Sequence, residues 1–224
     1  MDDYLEKMIT RYDDWIAQKK ITHSSRVIPV NESLTPENVV LPTQQAQDIL
    51  KQARVITLAN CDCRQRYHHC DKPLEVCFIL NDVGEKRAAQ GRSRVISLDT
   101  ALETLALIND AGLVHMSLYQ PNHEVFAFCS CCECCCHDLQ LVFKYGRHYL
   151  TQKSGYIARH DASDCTQCGI CIDRCPFDAR RLEARPDSDV LIYDPDRCYG
   201  CGLCVSTCPE QIIEMVKEGP DSSV

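Results

Sequence analysis

The feature that most limits what this chain can become is a thiol pattern that occurs twice in its tail. Cys165-Thr-Gln-Cys168-Gly-Ile-Cys171-Ile-Asp-Arg-Cys175-Pro176 is followed 33 residues later by Cys198-Tyr-Gly-Cys201-Gly-Leu-Cys204-Val-Ser-Thr-Cys208-Pro209. A cysteine at every third position lets a tight loop aim three thiolates at one centre, and Gly169 and Gly202 allow the backbone to come close. A segment of about 60 residues is too small to stand on packing alone and needs metal or disulfide staples. In a chain of 224 residues, a repeat confined to one end favours two units over one.

The run C-x2-C-x2-C-x3-C-P is the one that holds [4Fe-4S] cubanes, and in two-cluster proteins the fourth cysteine of each run ligates the other cluster. The expected ligands are therefore Cys165, Cys168, Cys171 and Cys208 for the first cluster, and Cys198, Cys201, Cys204 and Cys175 for the second. Zinc is the competing use of such thiols, but zinc motifs seldom carry four cysteines and a terminal proline in duplicate. Four sulfurs per cubane leave no iron open, so the tail reads as a carrier of single electrons, and no catalytic residue is assigned.

Eighteen cysteines could also form a disulfide framework. The opening Met1-Asp-Asp-Tyr-Leu-Glu is acidic and no apolar leader follows, so a cytoplasmic protein is expected, where thiols serve as ligands. No stretch approaches the roughly 18 apolar residues of a membrane span. The net charge of -8 is uneven: Asp161 to Val224 carry 13 acidic and 6 basic residues, while the rest of the chain is nearly balanced. An acidic tail disfavours nucleic acid and favours a redox partner with a basic docking face.

Upstream, Tyr4, Met8, Tyr12 and Trp15 recur at helical steps within Asp3 to Lys19, giving an amphipathic helix laid on the following domain. Ile21 to Pro42 reads as an extended connection. Thr43 is placed as the N-cap of a helix through Ile49, Leu50 and Ala53. Arg54 to Asn60 reads as a strand ending on Cys61, and Phe78 to Leu80 as another before a loop from Asn81 to Arg94. Ser97 caps a helix to about Ala111, with Gly112 as its stop. Strands at Leu113 to Leu118 and Val125 to Phe128 flank a turn at Pro121-Asn122, the second running into another group of cysteines. A helical or irregular segment holds Leu139 to Phe143. In the tail, Ile157 to Arg159, Val190 to Tyr193 and Ile212 to Met215 are expected strands, with a hinge at Lys153 to Gly155. The fold class expected is α+β: a linker region over 1–42, a cysteine-rich α/β domain over 43–152, and a pseudo-twofold, two-cluster ferredoxin-type domain over 153–224.

Ten further cysteines are metal-ligand candidates: Cys61, Cys63, Cys70 and Cys77, then Cys129, Cys131, Cys132, Cys134, Cys135 and Cys136. Neighbouring thiols packed so densely cannot all face a hydrophobic core. Both groups sit at predicted strand ends, so one edge of a sheet could unite them. Ten ligands suffice for two four-coordinate sites or one larger cluster. Soft sulfur ligands beside an electron carrier favour one or more iron-sulfur centres, with structural zinc as the alternative. His68, His69 and His137 flank these thiols, Glu133 reads as solvated, and Arg64 is either a tuning charge or a surface residue. The basic loop of Lys86, Arg87, Arg92 and Arg94 reads first as solvated surface and second as a docking patch.

The tail resembles bacterial two-[4Fe-4S] ferredoxin domains. Through Cys61-Asp-Cys63-Arg64, Cys70, Cys77, Ala111-Gly-Leu-Val-His115 and the Cys129 to Cys136 run, the chain also resembles a little-characterised family of cysteine-rich 4Fe-4S-binding proteins of anaerobic microbes. That resemblance implies an electron-transfer component working with a flavoprotein or reductase subunit. Two other readings stay open: a small reductase with a substrate-accessible N-terminal cluster, and a zinc-stapled adaptor carrying a ferredoxin. No nucleotide-binding or hydrolase motif is present.

Overall fold

The computed structural model describes residues 1–29, 46–121, 124–185 and 189–218. Its first part orders α1 (Asp3–Ala17), β1 (Ser25–Ile28), α2 (Ala46–Gln52), β2 (Ile56–Asn60), α3 (Asp62–Tyr67), β3 (Glu75–Leu80), α4 (Asn81–Ala89), β4 (Arg94–Ile96), α5 (Leu98–Asp110), β5 (Val114–Tyr119), β6 (Val125–Cys131), α6 (His137–Tyr145) and β7 (Thr151–Gln152). The strands form one sheet in the order β4-β2-β3-β6-β5-β1-β7. Alternation along the strands decides what covers each face. Leu58, Phe78 and Phe128 pack with Ile49 and Leu50 of α2 and with Leu105 and Ile108 of α5. Their neighbours Ala59, Ile79 and Ala127 point to the other face, under Val83 of α4. Each large apolar side chain so buried stabilises the fold by about 1.5–3 kcal/mol.

Helix α1 is capped by Asp2, whose side chain accepts from the Tyr4 and Leu5 amides. Its Leu5, Met8, Ile9 and Tyr12 pack on Leu141 and Leu150, so it lies on the domain as expected from its periodicity. Ser97 caps α5 by accepting from the Thr100 amide, also as expected.

The sequence reading needs three corrections here. The sheet is antiparallel except where β1 meets β7, so the first part is α+β in its own right and not α/β. Asn81 to Arg94 is not a loop: it folds as α4 and the start of β4. Its residues are mostly polar or charged, and the little apolar surface it buries gave no periodic signal. Within the expected connection, Ser25–Ile28 forms an inner strand, while residues 30–42 of that connection, Thr43 and Asn122 lie outside the described residues.

The tail contributes β8 (Tyr156–His160), α7 (Ile170–Asp173), β9 (Arg180–Glu183), β10 (Val190–Tyr193) and β11 (Ile213–Lys217). β8 pairs with β11 and β9 with β10, both antiparallel. The residues expected to form a hinge are pinned to the second cysteine run. Ser154 is buried and donates from Oγ to the Gly200 carbonyl at 2.9 Å, and Lys153 donates to the Asp196 carbonyl at 2.6 Å. Gly200 has a φ of 67°, and a Cβ there would collide with Ser154 and the Tyr156 carbonyl. Arg174 donates to the Asp110 and Asn109 carbonyls at the C-terminal end of α5, where a cation is favoured by the helix dipole.

Candidate metal centres

In the tail, each short loop turns its thiols inward around a cavity. Cys165, Cys168, Cys171 and Cys208 line one, with Leu191, Ile212 and Ile213. Cys175, Cys198, Cys201 and Cys204 line the other, with Ala158, Phe177 and Ala179. Each cavity thus takes three sulfurs from one run and the fourth from the other. Four soft ligands in a largely apolar wall suit an iron-sulfur cubane.

Sequence reasoning missed Arg180. This residue is buried, donates to the Ala158 carbonyl at 2.5 Å and lies 4.6 Å from the Tyr193 ring centre. It forms no ion pair with a carboxylate among the described residues. Burying an uncompensated cation is costly, and its charge acts to lower the thiols of Cys171, Cys175 and Cys204. Its position on β9, outside both motifs, left no signal in the sequence.

The ten upstream thiols come together at one end of the large sheet. β2 ends just before Cys61, β3 starts just before Cys77, and β6 carries Cys129 and Cys131 at its end. Cys77 lies opposite Ala59, while Cys129 and Cys131 lie opposite Met116 and Val114. The thiols then divide in a way that neither sequence group foreshadowed.

Four of them close up tightly. The sulfurs of Cys70, Cys132, Cys134 and Cys135 all lie within 4.8 Å of one another. Cys70 and Cys132 are 3.8 Å apart, as are Cys134 and Cys135. A tetrahedral ion with metal-sulfur bonds of about 2.3 Å places its ligands about 3.8 Å apart, so the donor set fits one zinc-like ion. The loop is braced by His69, whose Nδ1 lies 2.8 Å from the Cys134 carbonyl oxygen, and by Gln140, which donates to the Cys135 carbonyl at 3.0 Å.

The other six, Cys61, Cys63, Cys77, Cys129, Cys131 and Cys136, line a cavity of about 300 Å³. Neighbouring thiols interact pairwise around a closed ring in the order 61, 63, 136, 131, 129, 77. Those interactions hold down the thiols of Cys61, Cys136 and Cys129 and push up those of Cys63, Cys131 and Cys77. Of the flanking histidines, only His137 reaches the ring: its Nδ1 is 3.2 Å from Cys63 Sγ, and its Nε2 is 2.9 Å from the Tyr12 hydroxyl on α1. His68 and Glu133 are exposed.

Arg64 stands between the two groups and is buried, not a surface residue. It donates from both terminal nitrogens to the Ser130 carbonyl at 3.1 Å and from Nη1 to Cys132 Sγ at 3.6 Å, while its Nε has no hydrogen-bond partner among the described residues. Although burial acts to lower its pKa, the thiolates of Cys61, Cys132 and Cys131 push it up further. By contrast, Arg87 and Arg94 of the basic loop are paired with Asp62 and Glu75 at 3.2 and 2.8 Å.

Residues 157–209 match the family of 4Fe-4S dicluster domains. This part of the chain is a ferredoxin-type iron-sulfur domain. No curated protein matches the chain. No helix among the described residues is long and apolar enough to cross a membrane.

Proposed function

We propose that this chain is an iron-sulfur electron-transfer protein of the cytoplasm, belonging with the cysteine-rich 4Fe-4S proteins that its upstream motifs resemble. Its tail holds two cubanes with crossed ligands: Cys165, Cys168, Cys171 and Cys208 for one, Cys198, Cys201, Cys204 and Cys175 for the other. The observation that carries this reading is the pair of four-sulfur cavities, each completed by a cysteine of the opposite run. When bound, the clusters supply one-electron storage at low potential. The protein holds them, excludes water with Phe177, Leu191 and Ile213, and offsets their charge with Arg180.

Cys70, Cys132, Cys134 and Cys135 hold a structural zinc ion that ties the α3 loop to the end of β6. The leading segment 1–42 lends α1 and the inner strand β1 to the thiol-rich sheet domain of 43–152, and the ferredoxin domain covers 153–224. The partner is a flavoprotein or reductase subunit whose basic face meets the acidic tail. The cavity beside the six-thiol ring reaches the exposed Arg11, Asn60 and Asp62, which favours a reductase with an accessible centre as the second reading.

Anaerobic metal and sulfide analysis of the full chain, with EPR after dithionite, tests the proposal. About eight irons carried by the tail cysteines and one zinc are expected. Zinc in place of iron at the tail cysteines would overturn the electron-transfer reading, whereas a substrate-dependent change in the spectrum would select the reductase.

A further inference from the structure

The six-thiol ring is not explained by a single metal ion. Six sulfurs exceed what one tetrahedral ion takes. Nor do the six draw together as such an ion requires: among the described residues, the group with all ligand atoms within 4.8 Å is Cys70, Cys132, Cys134 and Cys135. Among the described residues, the cysteines of the two ferredoxin cavities do not form such a group either. In this respect the ring resembles them and differs from the compact site.

Its setting points the same way. Cys131 and Cys136 of the ring and Cys201 of the second ferredoxin cavity belong to one apolar core, joined by Met116, Leu139 and Leu203, with Cys175 packed against it. Buried apolar side chains thus link the ring to that cavity, and charges near one another in such a low-dielectric region couple strongly. Arg64 adds a buried cation that donates to Cys132 of the compact site and also feels the ring thiols Cys61 and Cys131, a charge that an anionic centre in the ring would help to offset.

We propose that Cys61, Cys63, Cys77, Cys129, Cys131 and Cys136 hold a polynuclear iron-sulfur cluster with thiolate ligands from both sides of the cavity, next to the second cubane. Three ligands come from the Cys61 to Cys77 segment and three from the Cys129 to Cys136 segment, so the cluster clamps β2, β3 and β6 at one end of the sheet. The inference rests on the reading of the tail as an electron carrier, to which it adds a third redox centre.

The test uses the full chain, purified and reconstituted anaerobically with iron and sulfide. Wild-type protein is expected to hold roughly four or more irons beyond the eight of two cubanes. The double variant Cys61→Ser/Cys129→Ser is expected to return to about eight irons, with the EPR signals of the tail and the zinc content unchanged. Wild-type protein with no iron beyond about eight, or a double variant that loses no iron, would overturn the proposal. Should the variant fail to fold, thiol alkylation of wild-type protein decides. Protection of the six ring cysteines that is lost on iron chelation supports the cluster, and protection that survives chelation removes it. The tail is scored separately: Cys168→Ser/Cys201→Ser must remove the tail's iron, and if it does not, the electron-carrier reading fails whatever the ring contains.

Discussion

The two cysteine-rich regions solve the same problem by opposite routes. In the tail, three of the four cysteines lining each cavity lie within a seven-residue loop, and the backbone of that loop shapes the site. In the first part, the ligands arrive on the ends of β2, β3 and β6 and on the turn before α6, and the pairing of the sheet shapes the site. Yet each region buries one arginine that meets backbone carbonyls and no carboxylate among the described residues, Arg180 in the tail and Arg64 at the sheet end. Local motifs can carry a cluster with little surrounding fold. A sheet-built site has to have its fold first, and it leaves only weak traces in the sequence.

The sharpest way to break this comparison is at the crossed ligands. Replacing Cys175 with Ser should cost about four irons and the EPR signal of the cubane held by Cys198, Cys201 and Cys204, leaving the cluster of its own run intact; loss of the latter instead would show that each loop is self-sufficient. Next is the compact site, where Cys134→Ser should take the bound zinc from one ion to none while iron content holds. Iron lost with the zinc would show that the two thiol groups form a single centre.

The buried arginines come third. Arg64→Met should lower stability by about 3–5 kcal/mol, the usual cost of removing one partner from a buried charge pair, read as a drop in the denaturant midpoint of the metal-loaded protein. An effect under about 1 kcal/mol would mean that the thiols around it carry little charge. The smallest effect concerns His115, on β5 opposite Ser130. Burial holds its pKa down at about 3, so the folded protein keeps it neutral while the unfolded chain protonates it near pH 6.5. Stability from this residue is complete above that pH and declines by about 1.4 kcal/mol for each unit below it. His115→Gln should flatten the pH dependence of the unfolding midpoint between pH 7 and 5; an unchanged slope would place the acid sensitivity in the thiol centres.

What the sequence made legible follows the same division. The duplicated run announced the ferredoxin-type tail, and periodicity placed α1, α5 and the strands around β5 and β6. Hidden were the features set by tertiary pairing: the inner strand β1, the charged helix α4, and the three-plus-three and one-plus-three sharing of thiols between two sites. Cys129 and Cys131 differ by two positions and so share a face of β6, a period-two signal that was available. No spacing rule could have sent Cys70 to the compact group and Cys77 to the ring, because that choice depends on the turn that separates α3 from β3. Arg64 was noticed for its position beside Cys63, but its burial was not foreseeable from a polar, charged neighbourhood.

The placement of ring thiols on three strand ends also has a consequence in time. Loops such as Cys165 to Cys171 gather three of four thiols with a short closure that costs little entropy, and wait only for one thiol, Cys208, from the other run. The ring exists only after β3 has inserted between β2 and β6, a non-local pairing of the slow kind. Metal delivered before that moment meets scattered thiols, so the order of maturation is folding first and loading second at one end of the molecule, while loading at the other waits only for one thiol from the opposite run.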